Sequence, residues 1–155
     1  MQKHYHRAQR TSENFTLAIL DVDHFKRIND TRGHDEGDRV LRQLAELALA
    51  FFRTEDSVGR MGGEEFGIML VGISPADAFK RLDAFRTEVS QRCRVGQDSV
   101  YVSIGFACSG GESVSSMDTL MLAADAALYD AKRNGRNRVV VAPLCAALVD
   151  GAAPP

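Results

Sequence analysis

Two sets of carboxylates interrupt apolar runs in this chain. "FTLAILDVD" (15–23) ends in Asp21 and Asp23, and "RMGGEEFGIML" (60–70) carries Glu64 and Glu65 directly behind Gly62-Gly63. Met61, Phe66, Ile68, Met69 and Leu70 have the composition of buried strand, and paired glycines supply the backbone freedom of a tight turn. The glutamates then have two readings. They are solvated residues of a hairpin, or, if the first strand lies beside that hairpin, they converge with Asp21. Three hard oxygen donors of this kind suit Mg²⁺, which takes one or two carboxylates and fills its shell with water and phosphate oxygens.

A phosphate ligand needs a cradle, and the chain has no GxxxxGK[ST] loop. The backbone N–H groups of His24 and Phe25 open a helical turn just after Asp23, where helix starts bind anions, and Lys26 adjoins them. "AKRNGRN" adds Lys132 and Arg136 at the end of a helix, where they also complement its dipole. Asn29 and Asp38 can pair with the edge of guanine, or serve as turn and cap residues.

The elements that must position these groups follow from pattern. Residues 15–23 read as a strand buried on both faces, followed by a short helical turn at "HFKRIND" and a breaker-rich loop at "TRGHDEGD". A helix runs from about Gly37 to Phe52. Ser57–Met61 and Glu65–Val71 form strand, turn and strand. Ser74-Pro75 starts a helix, 99–108 is a β-branched strand, and a long helix ends near Gly135 before the last strand, "NRVVVA". The order β-α-α-β-β-α-β-α-β predicts an α+β fold, one helix-covered sheet with ferredoxin-like connectivity. The expected divisions are a polar helical stretch at 1–14, one main domain at 15–142 and a tail at 143–155 that reads as loose, although Leu144–Val149 could pack.

Bulk properties narrow the function. The 155 residues carry a formal net charge of −2, 45% apolar and 26% charged residues. That charge gives no footprint for nucleic acid or an anionic membrane. No run is long enough to span a bilayer, so a cytoplasmic location is expected, with tethering through other segments left open. Cys93, Cys108 and Cys145 are odd in number and widely spaced, which predicts reduced core cysteines rather than a disulfide framework or zinc site.

Four blocks, "DVDHFKRINDTRGHDEGDRVL", "RMGGEEF", "YVSIGFA" and "ADAALYDAKRNGRNRV", occur in one register from Phe15 to Val141. Together they resemble the GGDEF family of diguanylate cyclases. The resemblance implies a five-stranded, antiparallel-centred sheet of the nucleotidyl-cyclase and polymerase-palm type. It implies condensation of two GTP to cyclic di-GMP with release of two pyrophosphates, one GTP per domain, in a homodimer. Asp21, the Val22 carbonyl, Glu64 and Glu65 would hold Mg²⁺ (or Mn²⁺ as substitute), and Glu64 is also the candidate general base. Gly63 would admit the phosphates. His24, Phe25 and Lys26 would meet the triphosphate, with Lys132 and Arg136 offsetting its charge. Asn29 and Asp38 would read guanine, beside His34.

"RTED" matches the family's RxxD product-inhibition site through Arg53 and Asp56, with Arg81 or Arg86 as the second arginine. Two departures stand out. The family's D-x-LTGLxNR segment is missing ahead of the first strand, so the sequence reads as a fragment, with an upstream sensory domain expected in the full protein. Arg32 stands where an aromatic is usual. A non-catalytic module that binds GTP or cyclic di-GMP is the alternative reading.

Overall fold

The computed structural model describes residues 14–109 and 116–150, without the side chains of Leu144, Ala147, Leu148 and Asp150. Its elements are β1 (Phe15–Val22), α1 (Phe25–Arg32), α2 (His34–Phe51), β2 (Ser57–Gly62), β3 (Glu65–Val71), α3 (Pro75–Arg92), β4 (Arg94–Val95), β5 (Asp98–Ser99), β6 (Val102–Cys108), α4 (Met117–Arg133), β7 (Val139–Val141) and α5 (Pro143–Asp150). The main sheet has the order β2-β3-β1-β6-β7. All its pairs are antiparallel except β6–β7. The expected α+β class and five-stranded sheet are what the chain forms.

Every position of β1 and β6 is buried, so both faces of the sheet's centre are covered. That explains their continuous apolar character, since alternation appears only when one face meets water. α4 packs across β6 and β1, while α3 lies against β6 and β7. Gly105 in β6 makes the α4 approach possible: a Cβ there would run into the Leu128 amide and the Ala124 carbonyl. Ser74 caps α3 by accepting from the Asp77 N–H at 3.1 Å, with Pro75 at the first helical position. Such a cap contributes about 1 kcal/mol.

Four expectations need correction. The breaker-rich loop at 31–38 is a single-residue break at Gly33, whose φ of 87° joins α1 directly to α2. Gly37, read as a breaker, lies inside α2 because it packs against α1. The strand expected at 99–108 begins at Val102; Ser99 instead pairs with Arg94 in the small β4–β5 hairpin, and Val100 and Tyr101 lie in neither strand. The loose tail contains α5, anchored by buried Cys145, whose sulfur accepts the Cys108 N–H at 3.0 Å. The polar helix expected at 1–14 lies outside the described residues except for Asn14, whose carbonyl accepts the Gly72 N–H at 2.8 Å. All three cysteines are buried and unpaired.

Candidate functional site

Strand register brings the first two carboxylate groups together. Asp21 lies opposite Glu65 on β3 and opposite Ser103 on β6. The hairpin between β2 and β3 turns through Gly63 at φ 51°, a left-handed conformation that favours glycine. Arg60 braces that turn by donating to the Gly63 carbonyl at 2.8 Å. The Val22 N–H points to the Glu64 carbonyl at 3.4 Å, so the turn folds back over the end of β1. From the other side Lys132 of α4 places its Nζ 2.8 Å from Asp21 Oδ2.

Asp21 is 6% exposed. Burial pushes its carboxyl above the ordinary value of 3.8; the Lys132 ammonium pulls it down, and the charges of Glu64 and Glu65 push it up again. The site therefore holds excess negative charge that one lysine offsets only in part. Among the described residues no three His, Cys, Asp or Glu side chains converge into a preformed metal cage. The donors still fit Mg²⁺: two facing carboxylates and a strand-end carbonyl at Val22 are hard oxygens, and this ion leaves much of its shell to phosphate and water. A divalent cation bound there would compete with Lys132 for the same carboxylate.

Beyond β1, His24 adopts φ 57° and starts α1; among the described residues no side chain caps it. The first-turn N–H groups around Phe25 and Lys26 thus remain available to an anion. Three residues past Lys26, Asn29 packs toward α2. Its Oδ1 is buried without a hydrogen-bond partner among the described residues. It abuts Gly37, where a Cβ would overlap it. Asp38 follows, exposed, on the rim of a groove of about 510 Å³ lined by Leu41, Ala45, Val58, Arg60 and Phe66. His34 opens α2 as an exposed helical residue rather than a loop residue.

Sequence reasoning left Asp23 without a task. Its carboxylate is buried and joins distant segments: it accepts from Ser103 Oγ at 2.7 Å and from the Asn137 N–H at 2.9 Å. This pins the loop after α4, where Arg136 and Asn137 both have positive φ. Asn137 Oδ1 in turn accepts from Arg86 at 2.9 Å. The available signal was Ser103, a polar residue inside an otherwise apolar strand.

The RxxD segment sits between α2 and β2. Asp56, whose side chain is 1% exposed, accepts from the Arg53 N–H at 3.1 Å, the Val71 N–H at 3.3 Å and Arg81 Nη1 at 3.4 Å. Its carboxylate thus already has three donors inside the protein. Arg53 and Arg81 line a groove of about 550 Å³ with Phe51, Ser74 and Lys80. Of the two candidate second arginines, Arg81 faces this segment, while Arg86 is engaged with Asp83 at 2.7 Å and Asn137.

A five-stranded sheet of this order, with acidic residues at a strand end and an adjoining hairpin, is the fold of nucleotidyl-cyclase and polymerase-palm domains. The family model described as "Diguanylate cyclase, GGDEF domain" matches residues 1–138, and the chain belongs to that family. It is 39% identical over 136 residues to diguanylate cyclase DosC of Escherichia coli K12, covering 85% of this chain and 29% of that protein. With diguanylate cyclase A of Treponema denticola it shares 36% over 132 residues, 83% of this chain and 35% of the relative. The chain thus spans about a third of the length of these relatives. Among solved structures, the GGDEF domain of DgcB from Caulobacter crescentus in complex with c-di-GMP superimposes with a TM-score of 0.81 at 36% identity, over 90% of this chain and 84% of that one. The active GGEEF domain of a diguanylate cyclase from Vibrio cholerae gives 0.82 at 33% identity, over 90% of each chain.

Among the described residues no helix is long and apolar enough to cross a membrane.

Proposed function

We propose that this domain is a diguanylate cyclase that condenses two GTP into cyclic di-GMP and two pyrophosphates. The observation that carries the reading is the convergence of Asp21, Glu65 and Lys132 at one strand end, with Lys132 Nζ 2.8 Å from the Asp21 carboxylate. Each domain holds one GTP, and two copies face each other. Each 3′-oxygen forms a bond to the other nucleotide's α-phosphorus, each α–β phosphoanhydride bond breaks, and each 3′-hydroxyl gives up its proton.

The chain's own groups divide this work. Asp21, Glu64, Glu65 and the Val22 carbonyl would hold Mg²⁺, with Mn²⁺ able to replace it. There it would supply Lewis-acid polarisation of the triphosphate and lower the pKa of the attacking hydroxyl. Glu64 is the proton acceptor nearest the turn. The first-turn N–H groups of α1, from His24 through Lys26, cradle phosphate oxygens, and Gly63 keeps the turn free of a side chain. Lys132 and Arg136 offset the charge that grows on the leaving pyrophosphate. Asn29 and Asp38 read guanine, with His34 beside them: a carboxylate accepts from its N1–H and N2–H groups, where adenine presents an acceptor and would leave a costly mismatch.

Cyclic di-GMP binds back at Arg53 and Arg81, whose planar forks suit phosphate and the guanine edge. The product thereby inhibits its own synthesis. An upstream sensory domain would govern how often two catalytic domains meet.

Incubation with GTP and Mg²⁺, with products separated by chromatography, tests the proposal. The expected result is cyclic di-GMP formed at a rate that rises with the square of protein concentration. Product absent even when dimerisation is forced would sink it, and tight cyclic di-GMP binding without turnover would identify a binding module instead.

A further inference from the structure

The Asn29–Gly37 contact is an anomaly with a use. Asn29 turns its amide oxygen inward, where it is buried and meets no donor among the described residues. An unsatisfied buried acceptor is unfavourable, so native structures rarely keep one without a reason. The oxygen fits only because position 37 has no side chain: a Cβ would overlap Oδ1 and press on the Asn29 Cγ and the Phe25 ring. Gly37 is buried near the start of α2, where alanine would otherwise be the better helix former. The position therefore gives up helix propensity to admit one oxygen atom.

We infer that Gly37 is a specificity-positioning residue, which makes Asn29 present its amide nitrogen to the base. With the oxygen seated against Gly37, the NH₂ group occupies the opposite branch of the amide and is the part left to meet a ligand. The next residue, Asp38, is exposed and accepts hydrogen bonds. The pair thus offers one donor and one acceptor. Guanine presents the complement along one edge, an O6 acceptor beside an N1–H donor. Adenine presents the reverse, an N6 donor beside an N1 acceptor. A side chain at 37 expels the oxygen, rotates the amide and breaks that match. Gly37 itself touches no base; it acts through Asn29.

This inference rests on the guanine reading above, and the test separates the two. GDP and ADP binding with Mg²⁺ is measured by calorimetry for the wild type, G37A, N29A and the double variant, together with the melting temperature of each. These ligands do not react, so a catalytically idle chain is still informative. Wild-type protein that binds ADP as well as GDP removes the guanine reading itself. Given a wild-type preference for GDP, Gly37→Ala is expected to weaken GDP about tenfold or more and to leave ADP unchanged, the size of effect typical of a mismatched polar contact.

The double variant controls for simple damage to the fold. Without the amide the one overlap is gone, and a new Cβ meets only the edge of the Phe25 ring, at 3.1 Å, a contact that a shift of a few tenths of an ångström relieves. Gly37→Ala is therefore expected to lower the melting temperature in the wild-type background and to leave it unchanged, or raise it, in the N29A background. A G37A chain that fails to fold while the double variant folds supports the same coupling. Unchanged GDP affinity in G37A, or an equal loss of melting temperature in both backgrounds, overturns the inference.

Discussion

Asp21 and Asp56 are both nearly buried aspartates, 6% and 9% exposed, in segments of one domain, and they sit in opposite circumstances. Asp56 has two backbone N–H donors and the Arg81 guanidinium, so its charge is fully employed in closing the turn between α2 and β2. Asp21 has Lys132 on one side and the like charges of Glu64 and Glu65 on the other. One carboxylate is a finished structural joint. The other is held in an unfavourable state that a cation would relieve. Burial alone does not distinguish a structural acid from a ligand; the count of donors around it does.

The comparison breaks first at Asp21. Asp21→Asn is expected to lower cyclase turnover by about a thousandfold or more, the scale of losing electrostatic transition-state stabilisation. Its melting temperature at neutral pH should equal or exceed wild type, because a buried charge is removed. A clear fall in melting temperature would place Asp21 in the same structural class as Asp56. Asp56→Ala is the mirror image. Urea denaturation should find it less stable by about 2–4 kcal/mol, since backbone donors and a guanidinium lose their acceptor. Turnover of the folded fraction should stay within a few-fold of wild type.

Lys132→Ala sharpens the catalytic half, with turnover expected to fall by about a hundredfold. Because the lysine competes for the Asp21 carboxylate, half-maximal activity of this variant should need less Mg²⁺; a higher requirement would refute that competition. Arg81→Ala and Arg86→Ala sharpen the other half. Cyclic di-GMP inhibition should weaken about tenfold in R81A, as for loss of a charged hydrogen bond, and change little in R86A.

The smallest effect is on pH dependence. A carboxyl raised above its unfolded value binds its proton more tightly in the folded state. In metal-free protein, Asp21 therefore favours folding once protonated, and this contribution fades as pH rises from about 4 through the raised value. Melting curves across that range should lose part of their pH dependence in D21N.

The residues show why some features were legible in the sequence. The apolar runs of β1 and β6, the Gly-Gly turn and the Ser74-Pro75 start are local signals, and each marks an element that forms. Gly33 and Gly37 misled because composition cannot tell a glycine needed for backbone angle from one needed for close packing. At Gly33 the chain turns; at Gly37 a neighbouring helix presses in. Cys145 was legible as a core cysteine but not in its partner: it sits on α5 and accepts from the Cys108 N–H, on a distant strand.

The sequence by itself determined the family resemblance, the sheet class and the cast of charged residues, because these depend on type and order along the chain. Tertiary structure alone decided the partners. It set Asp21 opposite Glu65 and beside Lys132, gave Asp23 to the loop of Arg136, surrounded Asp56 with backbone amides, and put Arg81 rather than Arg86 beside it. The physical reason is that hydrogen bonds and charge pairs act over a few ångströms, between residues that here lie as many as 114 positions apart. Only strand register and helix packing bring such residues within reach.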